Sequence, residues 1–274
     1  MWPIKEWGRS QSPPLFFQQI AYNKIMKIIL NILTHGDEKI GLKVVRELKK
    51  LNIDEKVFYI QIANEKAAKL SKRFIDQDLN RSFPGKSNGN YEQRLAGKLL
   101  PIIKSADIVL DIHSTTSNLK DALIVTKLNK ETLKYIKIIQ PKYALIMNIT
   151  KDNALISGAK IGLAFEYGQD KDEKVIKKIV RDIKKVLASV NLISFKYSKS
   201  KNTTQFFSVD SEFKKEKDDK LLRGIKNYKL VKKGEIVAKR GDEFLIAKKD
   251  FYPVLFGENN YKDIFGFQGK FIII

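Results

Sequence analysis

The sequence contains no cysteine, and its 274 residues include two histidines. A chain without cysteine forms no disulfide and offers no thiolate to a metal, so a metal site would use imidazole and carboxylate ligands. The lack of disulfides is compatible with a reducing compartment, and we expect a cytoplasmic protein. The sequence also has no apolar run near the roughly 20 residues that a transmembrane helix needs, so we expect no membrane partner.

Acidic residues are scarce relative to basic ones: 31 Asp and Glu stand against 52 Lys and Arg, for a formal net charge of +21. A balance this basic raises the hypothesis of a nucleic-acid-binding protein. However, most of the basic residues are lysines that spread along the chain with acidic residues between them. We therefore expect no nucleic-acid partner and attribute the charge to a lysine-rich proteome. A positive field would still help to draw in an anionic substrate.

Apolar residues make up 43% of the chain, which is enough for a sizeable core and excludes a wholly disordered protein. Up to about residue 190, apolar runs typical of buried strands alternate with segments of helical periodicity. The predicted strands cover 26–33, 57–63, 108–112, 122–126, 143–149 and 160–167, and the predicted helices cover 40–51, 90–105, 130–139 and 172–190. This alternation predicts an α/β fold with a mixed, largely parallel sheet and helices on both faces.

The pattern changes after about residue 191. Short β-like runs separated by turn signals follow, at 205–209, 228–231, 235–238, 244–247, 252–256 and 270–274. We therefore predict a catalytic domain at 26–191 and a small C-terminal β-rich domain at 192–274. Residues 1–25 lack the apolar core and cleavage site of a signal peptide. We treat them as an N-terminal extension whose place in the native protein the sequence leaves open.

Both histidines follow a predicted strand. His35 opens the turn His35-Gly36-Asp37-Glu38, and His113 directly follows the strand at 108–112. The carboxyl ends of strands are where an open α/β sheet places its site, and a catalytic zinc usually has three protein ligands of histidine and carboxylate type. A His-x-x-Glu pair alone, or a single histidine after a strand alone, is more often an ordinary polar feature. Because the two together use the only histidines of the chain, we hypothesise that His35, Glu38 and His113 bind one zinc ion.

Glu166 lies at the end of the predicted strand 160–167 and is followed by Tyr167 and Gly168. A carboxylate at a strand end near the metal is a candidate general base, which takes a proton from water and passes it to a leaving amine. The alternative is an ordinary surface carboxylate.

The segment 73–85 has no clean helical or strand period, and we interpret it as an ordered loop that carries functional side chains. It contains Arg73, Asn80 and Arg81. Arginine side chains bind carboxylates through two parallel hydrogen bonds and also stabilise developing oxyanions. The alternative for each arginine is an ion pair with the neighbouring Asp76 or Asp78.

Taken in order, these motifs resemble the aspartoacylase/succinylglutamate desuccinylase family, a branch of the zinc carboxypeptidase-like fold. The resemblance covers roughly 26–274. The Thr-Thr-Ser-Asn stretch at 115–118 resembles the aspartoacylases of this family rather than its desuccinylases. The motifs that carry it are His35-Gly36-Asp37-Glu38, Arg73, Asp78-Leu79-Asn80-Arg81, Asp111-Ile112-His113-Ser114, Phe165-Glu166-Tyr167-Gly168, Tyr252-Pro253-Val254 and Glu258-Asn259-Asn260-Tyr261.

The resemblance implies a zinc-dependent amidohydrolase that deacylates a small-molecule N-acyl amino acid. It implies one zinc per chain, Glu166 as general base and then acid, and Arg73 as the group that stabilises the oxyanion. It also implies that Asn80 and Arg81 hold a substrate carboxylate, with Tyr261 closing over it from the C-terminal domain. A desuccinylase-like or carboxypeptidase-like hydrolase with the same metal site is the alternative. Because family members often form dimers, a homodimer is also left open.

One segment departs from the family pattern. Aspartoacylases carry an arginine shortly before the catalytic glutamate that recognises the side-chain carboxylate of N-acetylaspartate. The corresponding stretch here, 152–158, has no arginine, and the flanking Lys151 and Lys160 lack the planar fork of arginine. The sequence therefore supports the chemistry better than it supports any one substrate.

Overall fold

The computed structural model describes residues 25–115, 121–198 and 203–274. The strands and α-helices of these residues follow in the order β1 (Ile28–Ile32), α1 (Ile40–Leu48), β2 (Phe58–Ile62), α2 (Glu65–Lys69), α3 (Tyr91–Lys104), β3 (Ile108–His113), β4 (Ala122–Val125), α4 (Lys130–Ile139), β5 (Tyr143–Met147), β6 (Ile161–Glu166), α5 (Glu173–Ser189), β7 (Gln205–Lys214), β8 (Lys220–Leu221), β9 (Ile236–Arg240), β10 (Glu243–Ile246), β11 (Tyr252–Val254) and β12 (Ile264–Ile272). Within these ranges, every helix is too short or too polar to cross a membrane.

Nine of the strands form one sheet in the order β11-β12-β7-β5-β4-β6-β3-β1-β2. The neighbouring strands β2, β1, β3 and β6 run parallel to one another, and so do the neighbouring strands β4, β5 and β7. The pairs β4–β6, β7–β12 and β11–β12 are antiparallel. The predicted mixed, largely parallel sheet is therefore confirmed.

Helices cover both faces of this sheet. Along β1, Ile28, Leu30 and Ile32 pack in one apolar cluster with residues of α1, α4 and α5. Ile29, which points to the opposite face, packs in a second cluster with residues of α3. The strand β1 is buried along its whole length, as its largely apolar sequence predicts.

Two local features in the first 190 residues go beyond the predicted elements. Pro101 lies inside the single helix α3, where a proline removes one backbone donor without ending the helix. The connection after β2, for which we predict no helix or strand, contains the short helix α2. Its signal in the sequence is Asn64, whose side chain accepts a hydrogen bond from the Ala67 backbone N–H and caps the helix.

The C-terminal part contributes to two sheets. The strands β7, β12 and β11 extend the main sheet, whereas β8, β9 and β10 form a separate three-stranded sheet. The predicted strand at 228–231 is instead a single bridge between Val231 and Phe251. The domain boundary at 191/192 stays a prediction. Residues 1–24 of the predicted N-terminal extension lie outside the described residues.

The strands β1, β3 and β6 are neighbours in the sheet and parallel, so their carboxyl ends meet at one edge. His35 follows β1, His113 ends β3 and Glu166 ends β6. Because His113 and Glu166 are register partners on adjacent strands, their side chains leave the same face of the sheet. This edge is where the candidate site forms.

Candidate active site

The structure brings His35, Glu38 and His113 together. Glu38 accepts from both imidazoles: Oε1 lies 2.7 Å from His35 Nδ1, and Oε2 lies 2.9 Å from His113 Nδ1. One ligand atom from each residue lies within 4.8 Å of the other two, and all three residues are buried. Two imidazoles and one carboxylate are the donor set of a three-ligand zinc site. The residues therefore fit the metal that the sequence suggests.

Gly36 allows the ligand turn to lie against α2. A Cβ at this position would lie 2.2 Å from the Ala67 carbonyl carbon and 2.3 Å from the Ala68 nitrogen, both of them backbone atoms. Backbone atoms cannot rotate away as a side chain can, so only glycine fits here.

Replacing Gly36 by alanine should push the ligand turn away from α2. We expect the free energy of unfolding to fall by about 2 kcal/mol, because the core cannot absorb the extra methyl group, and we expect weaker zinc binding. Urea denaturation and metal analysis would test both. Gly97→Ala is the control, because its added Cβ would meet its nearest heavy atom at 4.0 Å. Wild-type zinc binding in Gly36→Ala would show that the close approach of Gly36 to the α2 backbone does not fix the position of the ligand turn.

Asp111 belongs to one of the motifs in the sequence, but the sequence interpretation gave it no role. Its Oδ2 lies 2.8 Å from His113 Nε2, on the opposite side of the ring from Glu38. Its Oδ1 accepts from Asn31 Nδ2 at 2.7 Å and from Thr34 Oγ1 at 2.8 Å. A carboxylate on the second nitrogen of a metal-binding imidazole fixes the tautomer and the ring orientation. The available signal was the spacing, since residues two apart on a strand share a face.

Carboxylates dominate the electrostatics of this cluster. Burial favours the neutral form of His113, but Asp111 and Glu38 together outweigh burial and raise its pKa well above 6.5. Burial also favours the neutral form of Glu38, but His35 and His113 outweigh it and hold the pKa of this carboxyl well below its usual range. The site is therefore rich in buried negative charge, which suits a bound cation.

Arg73 lies against the same cluster. Its Nη1 donates to Glu38 Oε1 at 3.1 Å, and its Nη2 donates to Asp78 Oδ2 at 3.3 Å. Asp78 Oδ1 in turn lies 3.1 Å from His35 Nε2. The ion pair with Asp78, considered as an alternative from the sequence, thus coexists with a position beside the candidate metal ligands.

Asn80 and Arg81 lie on a short 3-10 helix, Leu79–Arg81, that the side chain of Asp78 caps through the Asn80 backbone N–H. The Asn80 side chain lies 3.4 Å from His113 Nε2 and accepts from the Leu155 backbone N–H at 2.9 Å. Arg81 is exposed, and its guanidinium donates to the Asn80 carbonyl oxygen at 2.8 Å. Both residues line an inner space of the site.

Glu92 organises the loop that carries these residues, and the sequence interpretation did not single it out. It is fully buried at the start of α3. Its carboxylate accepts backbone N–H groups from Ile75 at 2.7 Å, Asp76 at 2.9 Å and Gln77 at 3.3 Å, and the Asn64 amide at 3.1 Å. One carboxylate therefore fixes the backbone just after Arg73.

Glu92→Gln should lower the free energy of unfolding by about 3 kcal/mol, because the amide NH2 cannot accept and leaves buried backbone donors without a partner. Chemical denaturation measures the change. Glu131→Gln is the matched control: Glu131 also lies in the first turn of a helix, but its side chain is exposed, so we expect a change within about 0.5 kcal/mol. Equal effects of the two substitutions would refute the role given to Glu92.

Glu166 and Tyr261 are neighbouring titratable groups of the site. Burial raises the pKa of Glu166 to about 7, against the pull of His113. Burial also raises the pKa of Tyr261, and the neighbouring Glu166 carboxylate adds to the effect. A carboxyl whose pKa lies near neutrality both accepts and releases protons readily at physiological pH.

Two connected spaces meet at these residues. An outer cleft of about 520 Å³ is lined by Glu38, Arg73, Ser114, Thr115, Glu166, Asp170, Lys171, Asn260 and Tyr261, among others. An inner chamber of about 60 Å³ lies next to His35, Asp78, Asn80 and Arg81. Arg73, Glu166, Leu255 and Tyr261 line both spaces. Residues 116–118 of the predicted Thr-Thr-Ser-Asn motif lie outside the described residues.

The sequence profile of one protein family, described as the succinylglutamate desuccinylase/aspartoacylase catalytic domain, matches residues 25–191. This match covers more than half of the chain. The chain belongs to this family. The matched range contains His35, Glu38, His113 and Glu166, and the roles assigned to them stay predictions.

Two curated relatives illustrate the membership. A protein named probable aspartoacylase from Acaryochloris marina (strain MBIC 11017) is 30% identical over 168 residues, which is 53% of this chain and 56% of the relative. The N-acyl-aromatic-L-amino acid amidohydrolase (carboxylate-forming) B of Danio rerio is 29% identical over 163 residues, which is 49% of this chain and 52% of the relative. The chain thus spans about half the length of these relatives in the matches.

Solved structures support the fold of this family member. The crystal structure of murine aminoacylase 3 superposes with a TM-score of 0.73 at 18% identity, covering 90% of this chain and 96% of that one. At this identity the likeness concerns the fold alone. It extends well beyond residue 191, into the C-terminal part.

The segment that departs from the family pattern lies at the inner chamber. Ala154 and Ile156 are buried there, and the Leu155 backbone is held by Asn80. Lys151 is exposed, and the Lys160 side chain, 59% exposed, pairs with Asp107 at 3.1 Å. Among the residues that line the two spaces, neither lysine occurs. Apolar side chains therefore stand where a family arginine is expected.

Proposed function

We propose that this chain is a zinc-dependent amidohydrolase that removes the acyl group from an N-acyl amino acid and releases a carboxylate and a free amino acid. One observation carries the proposal: the buried His35–Glu38–His113 cluster lies beside Glu166 on adjacent strand ends, where a cleft of about 520 Å³ meets a smaller chamber of about 60 Å³. The family membership supports the reaction type.

His35, Glu38 and His113 would hold one zinc per chain, with Asp111 orienting His113 from behind. When bound, zinc acts as a Lewis acid toward the scissile carbonyl and lowers the pKa of water. Of the three proposed ligands, Glu38 lines the outer cleft and His35 lines the inner chamber.

Glu166 is the proposed proton carrier. Its carboxylate takes a proton from the attacking water and delivers it to the nitrogen of the leaving amine, which a free amino acid needs in order to depart. Arg73 lies beside the same ligands and lines both spaces. We propose that its guanidinium stabilises the negative charge that develops on the carbonyl oxygen.

Asn80 and Arg81 are the proposed carboxylate-binding pair, because an arginine fork matches the two oxygens of a carboxylate. Both line the inner chamber. Tyr261 lines the chamber and the outer cleft, and its hydroxyl is proposed to close over the bound carboxylate.

The test is a hydrolysis screen with acetylated and succinylated amino acids, run on a preparation whose zinc content is measured. We expect amide cleavage that requires about one zinc per chain. A faster reaction with succinylated substrates would favour the desuccinylase-like alternative, and a faster reaction with short peptides would favour the carboxypeptidase-like one. Absence of cleavage by zinc-loaded protein would refute the proposal.

The biological setting is also part of the proposal. We propose a cytoplasmic enzyme whose partner is a small N-acyl amino acid rather than a nucleic acid. Because members of the family often form dimers, we also propose a homodimer. Light scattering would measure the oligomeric state. A gel-shift assay at physiological salt would show tight, salt-sensitive binding if a nucleic acid were the partner.

A further inference from the structure

The two spaces divide the substrate between them, if the proposed function holds. Glu166 and Arg73 line both, so the scissile amide belongs at their junction. Asn80 and Arg81 line the inner chamber and do not line the outer cleft. The half of the substrate that carries the α-carboxylate, which is the amino acid, therefore lies in the inner chamber. The acyl group faces the larger outer cleft.

Apart from the charged cluster, the lining of the chamber is largely apolar, and we call this part the apolar wall. It is formed by parts of β4, β5 and β12, by the segment before β6 and by the residue after β11. Its apolar side chains include Ile124, Met147, Ala154, Ile156, Leu255 and Phe267. The polar side chains on this wall are the hydroxyls of Thr126 and Thr150, which carry no charge.

Positive charge in the chamber is limited. Among the described residues that line it, the cationic side chains besides His35 are Arg73 and Arg81. Arg73 already pairs with Glu38 and Asp78. Arg81 is thus the cation available to the α-carboxylate. A second carboxylate, on the side chain of the substrate, would lie among apolar groups, and an ionised group buried without a partner is strongly disfavoured.

The chamber is also small. Its volume of about 60 Å³ is well below the roughly 150 Å³ of an apolar cavity that accepts benzene. A small aliphatic group fits within this space, whereas an aromatic ring would extend beyond it.

We propose that the substrate of this site is an N-acyl amino acid with a small, uncharged aliphatic side chain, of the alanine, valine or methionine type, bound against the apolar wall of the inner chamber. This inference rests on the proposed function. It separates the chain from relatives whose names specify aspartate or aromatic amino acids as the acylated residue.

The experiment compares kcat/KM of the zinc-loaded protein for N-acyl alanine, valine, methionine, aspartate and phenylalanine, in both the acetyl and the succinyl series. In whichever of the acetyl and succinyl series reacts faster, we expect kcat/KM for the aliphatic derivatives to exceed that for the aspartate derivative by at least about 100-fold. We expect them to exceed the phenylalanine derivative by about tenfold. A faster or equal reaction with aspartate or phenylalanine would overturn the inference and leave the proposed function intact. No cleavage in either series would overturn the proposed function, and this inference with it.

A variant tests the wall directly. Met147→Ala enlarges the chamber, and we expect the phenylalanine-to-alanine ratio of kcat/KM to rise by about tenfold. Ile102→Ala, on the outer surface of α3 and 40% exposed, is the control and should leave the ratio unchanged. An unchanged ratio in folded Met147→Ala would contradict the placement of the side chain. If that variant does not fold, the comparison on the wild-type protein still decides the matter.

Discussion

Replacing Glu166 by glutamine should lower kcat for an N-acyl amino acid by about 10²- to 10⁴-fold, the usual contribution of a positioned general acid–base group. Glutamine has nearly the same shape as glutamate but cannot take a proton from water or give one to the leaving amine. Glu166 is not one of the candidate metal ligands, so the substitution removes the proposed proton carrier and leaves those ligands in place.

Activity and zinc content must be measured on the same preparation. We expect about one zinc per chain in Glu166→Gln, and this separates a lost proton carrier from a lost metal. Glu173→Gln, on the exposed first turn of α5, is the matched control and should retain wild-type kcat. Full activity in Glu166→Gln would refute the assignment of Glu166 as the proton carrier.

The strands and helices around the site could be predicted from the sequence because their signals are local. The run at 28–32 is apolar at four of its five positions and is buried throughout, and the periodicity of α5 places its apolar residues on one face. The two histidines, each just after such a run, therefore located the meeting point of β1 and β3. The likeness of the motifs to one family supplied the remaining residues.

Contacts that depend on distant pairing could not be predicted in this way. Glu92 reaches backbone N–H groups 15 to 17 residues earlier in the chain, and no periodicity marks such a contact. Asp111 contacts Asn31 across 80 residues, through the pairing of β1 with β3. The apolar chamber wall combines side chains from β4, β5 and β12, so its composition emerges only when the sheet order is known.

The metal site gives the second large effect: Glu38→Ala should abolish zinc binding at concentrations that saturate the wild type. Each oxygen of Glu38 lies next to one imidazole, and Arg73 and the Ser114 backbone N–H also donate to it. Alanine removes one of the three proposed ligands and leaves the histidines without the carboxylate that hydrogen-bonds both of them. We expect a loss of affinity beyond the about 10- to 100-fold that follows removal of an outer partner.

Asp111→Asn measures the effect of losing such an outer partner, for comparison with the loss of a ligand. Asparagine keeps the shape of the side chain but weakens its hold on His113 Nε2, so zinc affinity should fall by about 10- to 100-fold. Competition with a chelating dye would measure both affinities. A second readout is the melting temperature, which rises with zinc only when the folded chain binds it. We expect this rise to be large in the wild type, reduced in Asp111→Asn and absent in Glu38→Ala. Wild-type affinity in Glu38→Ala would contradict the proposed ligand set, because no other carboxylate among the described residues lies between the two imidazoles on the Nδ1 side.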